Sequence, residues 1–174
     1  LTMESPLVLS EQGAVRLHVI VSPEEGGRRP VAIYSQPDEA DADTWTRHAT
    51  GTLSATQPPA AEPVTWPPAG AEPVDVADLY ATLAESGYDY GPLFQGVRAA
   101  WRAGDQVYAE VALPEAADVD GFGIHPALLD ATLHAIALGD FVAGDGNLPF
   151  SWTDVSLSAT GATKFDTAQF GPYG

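Results

Sequence analysis

The chain has 174 residues with 24 Asp and Glu against 7 Lys and Arg, a net charge of −17. That balance argues against a phosphate-tracking nucleic-acid binder and against attachment to an anionic membrane surface. No cysteine is present and 45% of residues are apolar, which excludes disulfides, thiolate nucleophiles and cysteine-based metal sites while leaving enough apolar surface for one compact core.

Residues 5–55 alternate apolar and polar positions in short bursts (6–9, 15–21, 31–35) separated by turn-rich pieces such as Glu24-Glu25-Gly26-Gly27. That pattern predicts antiparallel strands. A further strand is predicted over Thr44 to Ser54, with Trp45, Arg47, Ala49, Gly51 and Leu53 on one face and His48 on the other. Residues 56–74 hold six prolines and no periodicity, and read as an extended linker.

Past the linker, Asp75 is a candidate N-cap. Val76, Leu79, Tyr80 and Leu83 then fall at helical spacing before Gly87, predicting a short amphipathic helix. Strand alternation resumes through Val97, Ala99 and Trp101, then Val107, Ala109, Val111 and Leu113, with Gly104-Asp105 as a hairpin turn. From Gly123 to Gly139 the chain is apolar nearly all round, with Pro126 suited to a first helical turn and Gly139 to the residue past the end, so a buried helix is expected. A Gly-rich loop over 139–146 and a last strand around Trp152 to Thr160 complete the order, an α+β arrangement of antiparallel strands around one buried helix.

Within that helix Asp130 and His134 are four residues apart and share a face. A carboxyl group on an apolar helix is expensive unless it is hydrogen-bonded or neutralised, and burial favours the protonated form that a general acid needs. Spacing alone leaves two readings, a structural pair first and an acid with its partner second. His125 before Pro126 reads as a cap or as a residue lining a pocket mouth. A metal site from His125, Asp130 and His134 matches no ligand pattern, and no metal is expected. The run from Tyr88 to Gly96 and the segment Leu148-Pro149-Phe150-Ser151-Trp152 read first as aromatic-rich turns, and His18 and His48 as exposed or core-satisfied. Motifs for a serine elbow, a dinucleotide turn, a phosphate loop or a zinc helix are absent from the sequence.

Three ordered motifs together resemble the dehydratase domain of modular type I polyketide synthases: Tyr90-Gly91-Pro92-Leu93-Phe94-Gln95-Gly96; His125-Pro126-Ala127-Leu128-Leu129-Asp130-Ala131 with His134; and Leu148-Pro149-Phe150. Trp45 to Gly51 adds to the likeness, which covers about residues 1–163. The resemblance implies a hotdog-type fold, a double hotdog in which an antiparallel sheet wraps a central helix. Residues 1–55 would be the remainder of a first half, 56–74 the linker and 75–174 the second half. It also implies a reaction, removal of water from a 3-hydroxyacyl chain on an acyl carrier protein to give an α,β-enoyl thioester.

By that likeness Asp130 is the acid and His134 the neighbour that holds it, while Tyr90, Pro92, Phe94, His125, Pro126 and Pro149 contact substrate. No cofactor is implied beyond the phosphopantetheine arm of the carrier domain. The implied partners are that carrier domain and neighbouring synthase domains in a homodimeric, cytoplasmic synthase, with no nucleic acid or membrane. The family's base lies in an HxxxGxxxxP motif, yet none of the four histidines has Gly four residues on and Pro nine residues on. The base is expected upstream of Leu1, and the ending from Lys164 to Gly174 departs from the family. These 174 residues alone are therefore expected to be inactive. The alternatives are a non-catalytic dehydratase-like scaffold and a double-hotdog isomerase or cyclase.

Overall fold

The computed structural model describes residues 1–9, 13–38, 44–56, 65–139, 149–157 and 160–170. The chain divides into two compact units, Leu1–Pro59 with Leu148–Ser156, and Ala60–Asn147 with Leu157–Gly174. Among the described residues no helix is long and apolar enough to cross a membrane.

The first unit is a four-stranded antiparallel sheet of β1 (Thr2–Met3), β2 (Val15–Val21), β3 (Arg28–Pro37) and β4 (Thr46–Ser54), ordered β1-β4-β3-β2. The predicted strand over 6–9 is not formed; β1 starts at Thr2 instead. Residues 150–152, assigned by sequence to the second half, run beside β1 here, with Thr2 opposite Ser151 and the Trp152 amide donating to the Leu1 carbonyl. In β4 the simple alternation fails, because Ile33 pairs with Ala49 while its neighbour Tyr34 pairs with Arg47. His48 is the extra residue of this bulge, so Arg47 lies opposite Tyr34 and not on the face of Ala49. His48 is buried and satisfied, its Nε2 2.6 Å from Ser35 Oγ and its Nδ1 3.0 Å from the Ser5 carbonyl, as a core histidine should be. His18 is exposed beside the Trp45 ring.

The second unit carries β5 (Glu72–Val74), α1 (Leu79–Glu85), β6 (Val97–Ala103), β7 (Gln106–Ala112), α2 (Pro126–His134) and β8 (Lys164–Phe170). Its sheet is an antiparallel meander ordered β5-β6-β7-β8. The end of the proline-rich stretch is thus not free linker, since residues 72–74 pair with 100–102. Trp66 is anchored as well, its indole N–H donating to Glu110 at 2.7 Å and its ring meeting Trp101 and Tyr108 edge-on. Residues 57–64 and the loop over 140–148 lie outside the described residues. Among the described residues the last strand is β8, and 152–157 form no strand.

The hairpin turns where the sequence places it, at Gly104 with φ 58°, a backbone region that glycine enters freely. On β7 the pattern is regular: Val107, Ala109 and Val111 are buried and the residues between them are less so. On β6 a bulge at Arg98 shifts the pattern, so Val97 and Ala100 face the core while Trp101 pairs with Tyr108 on the other face.

Asp75 does not cap α1. It accepts the Ala77 amide in the turn before the helix, which begins at Leu79.

α2 begins as expected, with Pro126 in its first turn and His125 as its cap. After His134 the chain tightens into a 3₁₀ turn over Ala135–Leu138 that ends at Gly139. The helix is not buried all round. Ala127, Leu128, Ala131 and His134 are covered, whereas Leu129 is exposed. Small side chains explain the one-sided packing: Ala127, Ala131 and Ala135 recur every fourth residue and let the helix approach the sheet closely. Gly96 completes the fit, because a Cβ there would stand 2.6 Å from the Ala131 Cβ and 3.3 Å from the Ala112 carbonyl oxygen. Gly96→Ala should therefore destabilise the protein by about 1–3 kcal/mol through overpacking. Urea unfolding measures this, and an unchanged midpoint would show that helix and sheet are farther apart than described.

Candidate functional site

α2 sets Asp130 and His134 one turn apart on one face, with His134 Nε2 3.1 Å from Asp130 Oδ2. Their environments differ sharply. The imidazole is 3% exposed and the carboxyl group 37% exposed, so the expectation of a fully buried acid is corrected. With the alanine stripe and His134 turned to the core, Asp130 falls at the edge of the packed face and keeps access to solvent.

Two tyrosines complete the cluster. The Tyr80 hydroxyl, from α1, accepts the Val97 amide at 2.9 Å and lies 3.3 Å from His134 Nδ1. Tyr90 sets its ring against the imidazole, with centroids 4.0 Å apart, and stacks with Tyr88.

The turn carrying Tyr90 is built from its own motif. The Gly91 carbonyl accepts the Phe94 amide, with Pro92 pre-set at the second position, and the Gln95 side-chain amide clasps the Tyr90 carbonyl at 2.8 Å. Pro92 is exposed and Phe94 packs half-buried on the core beside Leu79, Val97 and Leu128.

His125 accepts the Ala127 amide through Nδ1 at 3.1 Å and meets Phe122 edge-on; the capping role expected of it is the one it plays. Pro126 is exposed at the helix start, and Pro149 belongs to the first unit. Among the described residues no group of three or more metal-ligating side chains stands together. The structure thus brings Asp130, His134 and Tyr90 together, and adds Tyr80, whose spacing in the sequence marks only an apolar helix position. One signal was available: a tyrosine in the stripe of Val76, Leu79 and Leu83 carries a hydroxyl that needs a partner once buried.

Burial pushes the His134 imidazole below the ordinary histidine range, and Asp130 offsets part of that shift. Burial likewise raises the Tyr80 hydroxyl, and raises Tyr90 with help from the Asp130 charge. Both phenols therefore stay protonated at neutral pH.

A lowered histidine value means the unfolded chain binds a proton that the folded one refuses. The associated stability is complete above the ordinary value of about 6.5 and drains away as pH falls through the folded value. In an NMR titration the His134 ring should change at lower pH than in the urea-unfolded chain. A midpoint at or above the unfolded one contradicts the burial described.

A family model described as polyketide synthase dehydratase N-terminal domain matches residues 58–169. Polyketide synthase GfsA of Streptomyces halstedii is 52% identical over 172 residues, which takes in 93% of this chain and 2% of that protein. Mycoketide-CoA synthase of Mycobacterium tuberculosis is 50% identical over 182 residues, 100% of this chain and 4% of that protein. The dehydratase domain from the terminal module of the rifamycin polyketide synthase superposes with a TM-score of 0.85 at 41% identity, across 98% of this chain and 63% of that one. The chain therefore spans a small part of the synthases it matches and under two thirds of the solved dehydratase domain.

Proposed function

We propose, from the premise that this chain belongs to the polyketide synthase dehydratase family and has its α+β hotdog fold, that it supplies the acid side of dehydration. The substrate is a 3-hydroxyacyl thioester carried by the phosphopantetheine arm of an acyl carrier protein within a homodimeric synthase. The C3–O bond breaks, the departing hydroxyl takes the proton of Asp130 and leaves as water, and the C2–C3 double bond forms as a base takes the α-proton. Product is the α,β-enoyl thioester, with Asp130 left as carboxylate.

The single observation that carries this is the pairing of a half-exposed carboxyl group with a buried imidazole at 3.1 Å. An acid must reach its substrate, and its orienting partner must not move. Tyr90 walls the approach to the carboxyl group; Pro92, Phe94, His125 and Pro126 contact the acyl chain, and Pro149 enters this reading only through the family likeness. The base comes from residues outside this sequence, since no histidine here has the spacing of the family motif.

The test joins this segment to a preceding hotdog half that bears the HxxxGxxxxP motif and supplies a 3-hydroxyacyl pantetheine thioester. Mass spectrometry should show loss of one water from the joined polypeptide and none from the 174 residues alone. Turnover by the segment alone contradicts the division of labour. A product of unchanged mass turns the assignment to an isomerase or cyclase, and no product at all from the joined polypeptide turns it to a scaffold.

A further inference from the structure

We propose that Tyr80 is a positioning residue: its hydroxyl fixes the tautomer of His134 and so decides which oxygen of Asp130 carries the acid proton. The consequence for catalysis rests on the dehydratase reading above, while the geometry does not.

The Tyr80 oxygen already accepts the Val97 amide at 2.9 Å, so its one hydrogen is free to donate, and His134 Nδ1 lies 3.3 Å away. A neutral imidazole has one donor nitrogen and one acceptor nitrogen. His134 is buried, with its ring enclosed by Tyr80 and Tyr90, which favours that neutral form. With Nδ1 accepting from Tyr80, the ring hydrogen sits on Nε2, the atom 3.1 Å from Asp130 Oδ2. Oδ2 is then held as an acceptor. A protonated Asp130 must carry its hydrogen on Oδ1, which has no hydrogen-bond partner among the described residues.

In the opposite tautomer Oδ2–H would donate to Nε2, and the transferable proton would be held against the buried ring. One phenol on α1 thereby keeps the acid of α2 pointed away from its own partner. This is a selection between two hydrogen-bonding patterns of the same atoms, and it asks nothing of Tyr80 at the substrate.

The experiment is a long-range proton–nitrogen correlation spectrum of the 174-residue chain labelled with ¹⁵N-histidine, the His134 signals being assigned by their loss in His134→Gln. In the unaltered protein Nδ1 should be the bare nitrogen and Nε2 the protonated one. Because an ionised Asp130 would by itself hold the ring hydrogen on Nε2, the comparison of variants is made in Asp130→Ala: there the Nε2–H pattern should persist, and adding Tyr80→Phe should lose it, with the Nδ1–H form appearing beside it, while the other three histidines keep their signals. Finding Nδ1–H in the unaltered protein or in Asp130→Ala overturns the proposal at once, whether or not the double variant folds. A folded double variant that keeps the single Nε2–H pattern overturns it equally. The readout needs no turnover, so failure of dehydration would count against the functional reading and leave this assignment to the spectrum.

Discussion

Asp130→Asn should lower dehydration by about 10² to 10⁴-fold in the polypeptide that joins this segment to a base-bearing half, the usual loss when a positioned proton donor is removed. The substitution changes little else. Asparagine matches the shape of aspartic acid and its carbonyl oxygen still accepts from His134 Nε2, the one hydrogen bond the carboxyl group makes among the described residues. Because the side chain is only partly covered, stability should move by no more than ~0.5 kcal/mol. The loss should therefore fall on kcat with KM little changed, since contacts to the bound chain persist and only the proton delivered in the transition state is missing. His134→Gln makes an instructive partner: its amide still offers an N–H to Oδ2, so it should retain far more activity than Asp130→Asn. Mass-spectrometric rates for the two variants decide the matter. Equal and large losses would mean that the imidazole does more than hold the acid, and unaltered turnover in Asp130→Asn would remove Asp130 from the reaction.

That pair was legible in the sequence because it is local. Spacing of four on a helix fixes two side chains to one face whatever else the chain does, and α2 announced itself through Pro126, its apolar residues and Gly139. The hairpin at Gly104-Asp105 was legible for the same reason. What failed was information held by a partner element. An extra residue at His48 or Arg98 reverses which side chains face the core, and only the opposing strand shows that it is extra. The strand over Lys164–Phe170 is called up by the open edge of β7 rather than by its own alternation. Tyr80 sits 54 residues from His134, so its hydroxyl acquires a meaning only after folding. Asp130 illustrates the mixture: its neighbour was readable, but its exposure depends on the alanine stripe meeting Gly96 and the sheet.

Leu128→Ala should destabilise the second unit by about 2–5 kcal/mol. Leu128 is 0% exposed and lies in the cluster of Leu79, Val97, Val111 and Leu113, flanked on its helix by alanines too small to fill the space it would vacate. A domain of this size has about 5–15 kcal/mol in all, so a large part of the margin rests on one side chain. Leu129→Ala is the natural control. The chemistry of the change and its effect on helix propensity are the same, but Leu129 is 37% exposed, so less apolar surface is lost from the folded state and the expected cost is about 1 kcal/mol or less. The difference between the two urea midpoints at equal slope therefore isolates burial from helix formation. A difference of at least about 1 kcal/mol supports a helix packed on one side, with Asp130 left at the open margin. Equal costs would mean that α2 is enclosed on both sides, and a carboxyl group so enclosed could not meet a thioester arriving on a carrier arm.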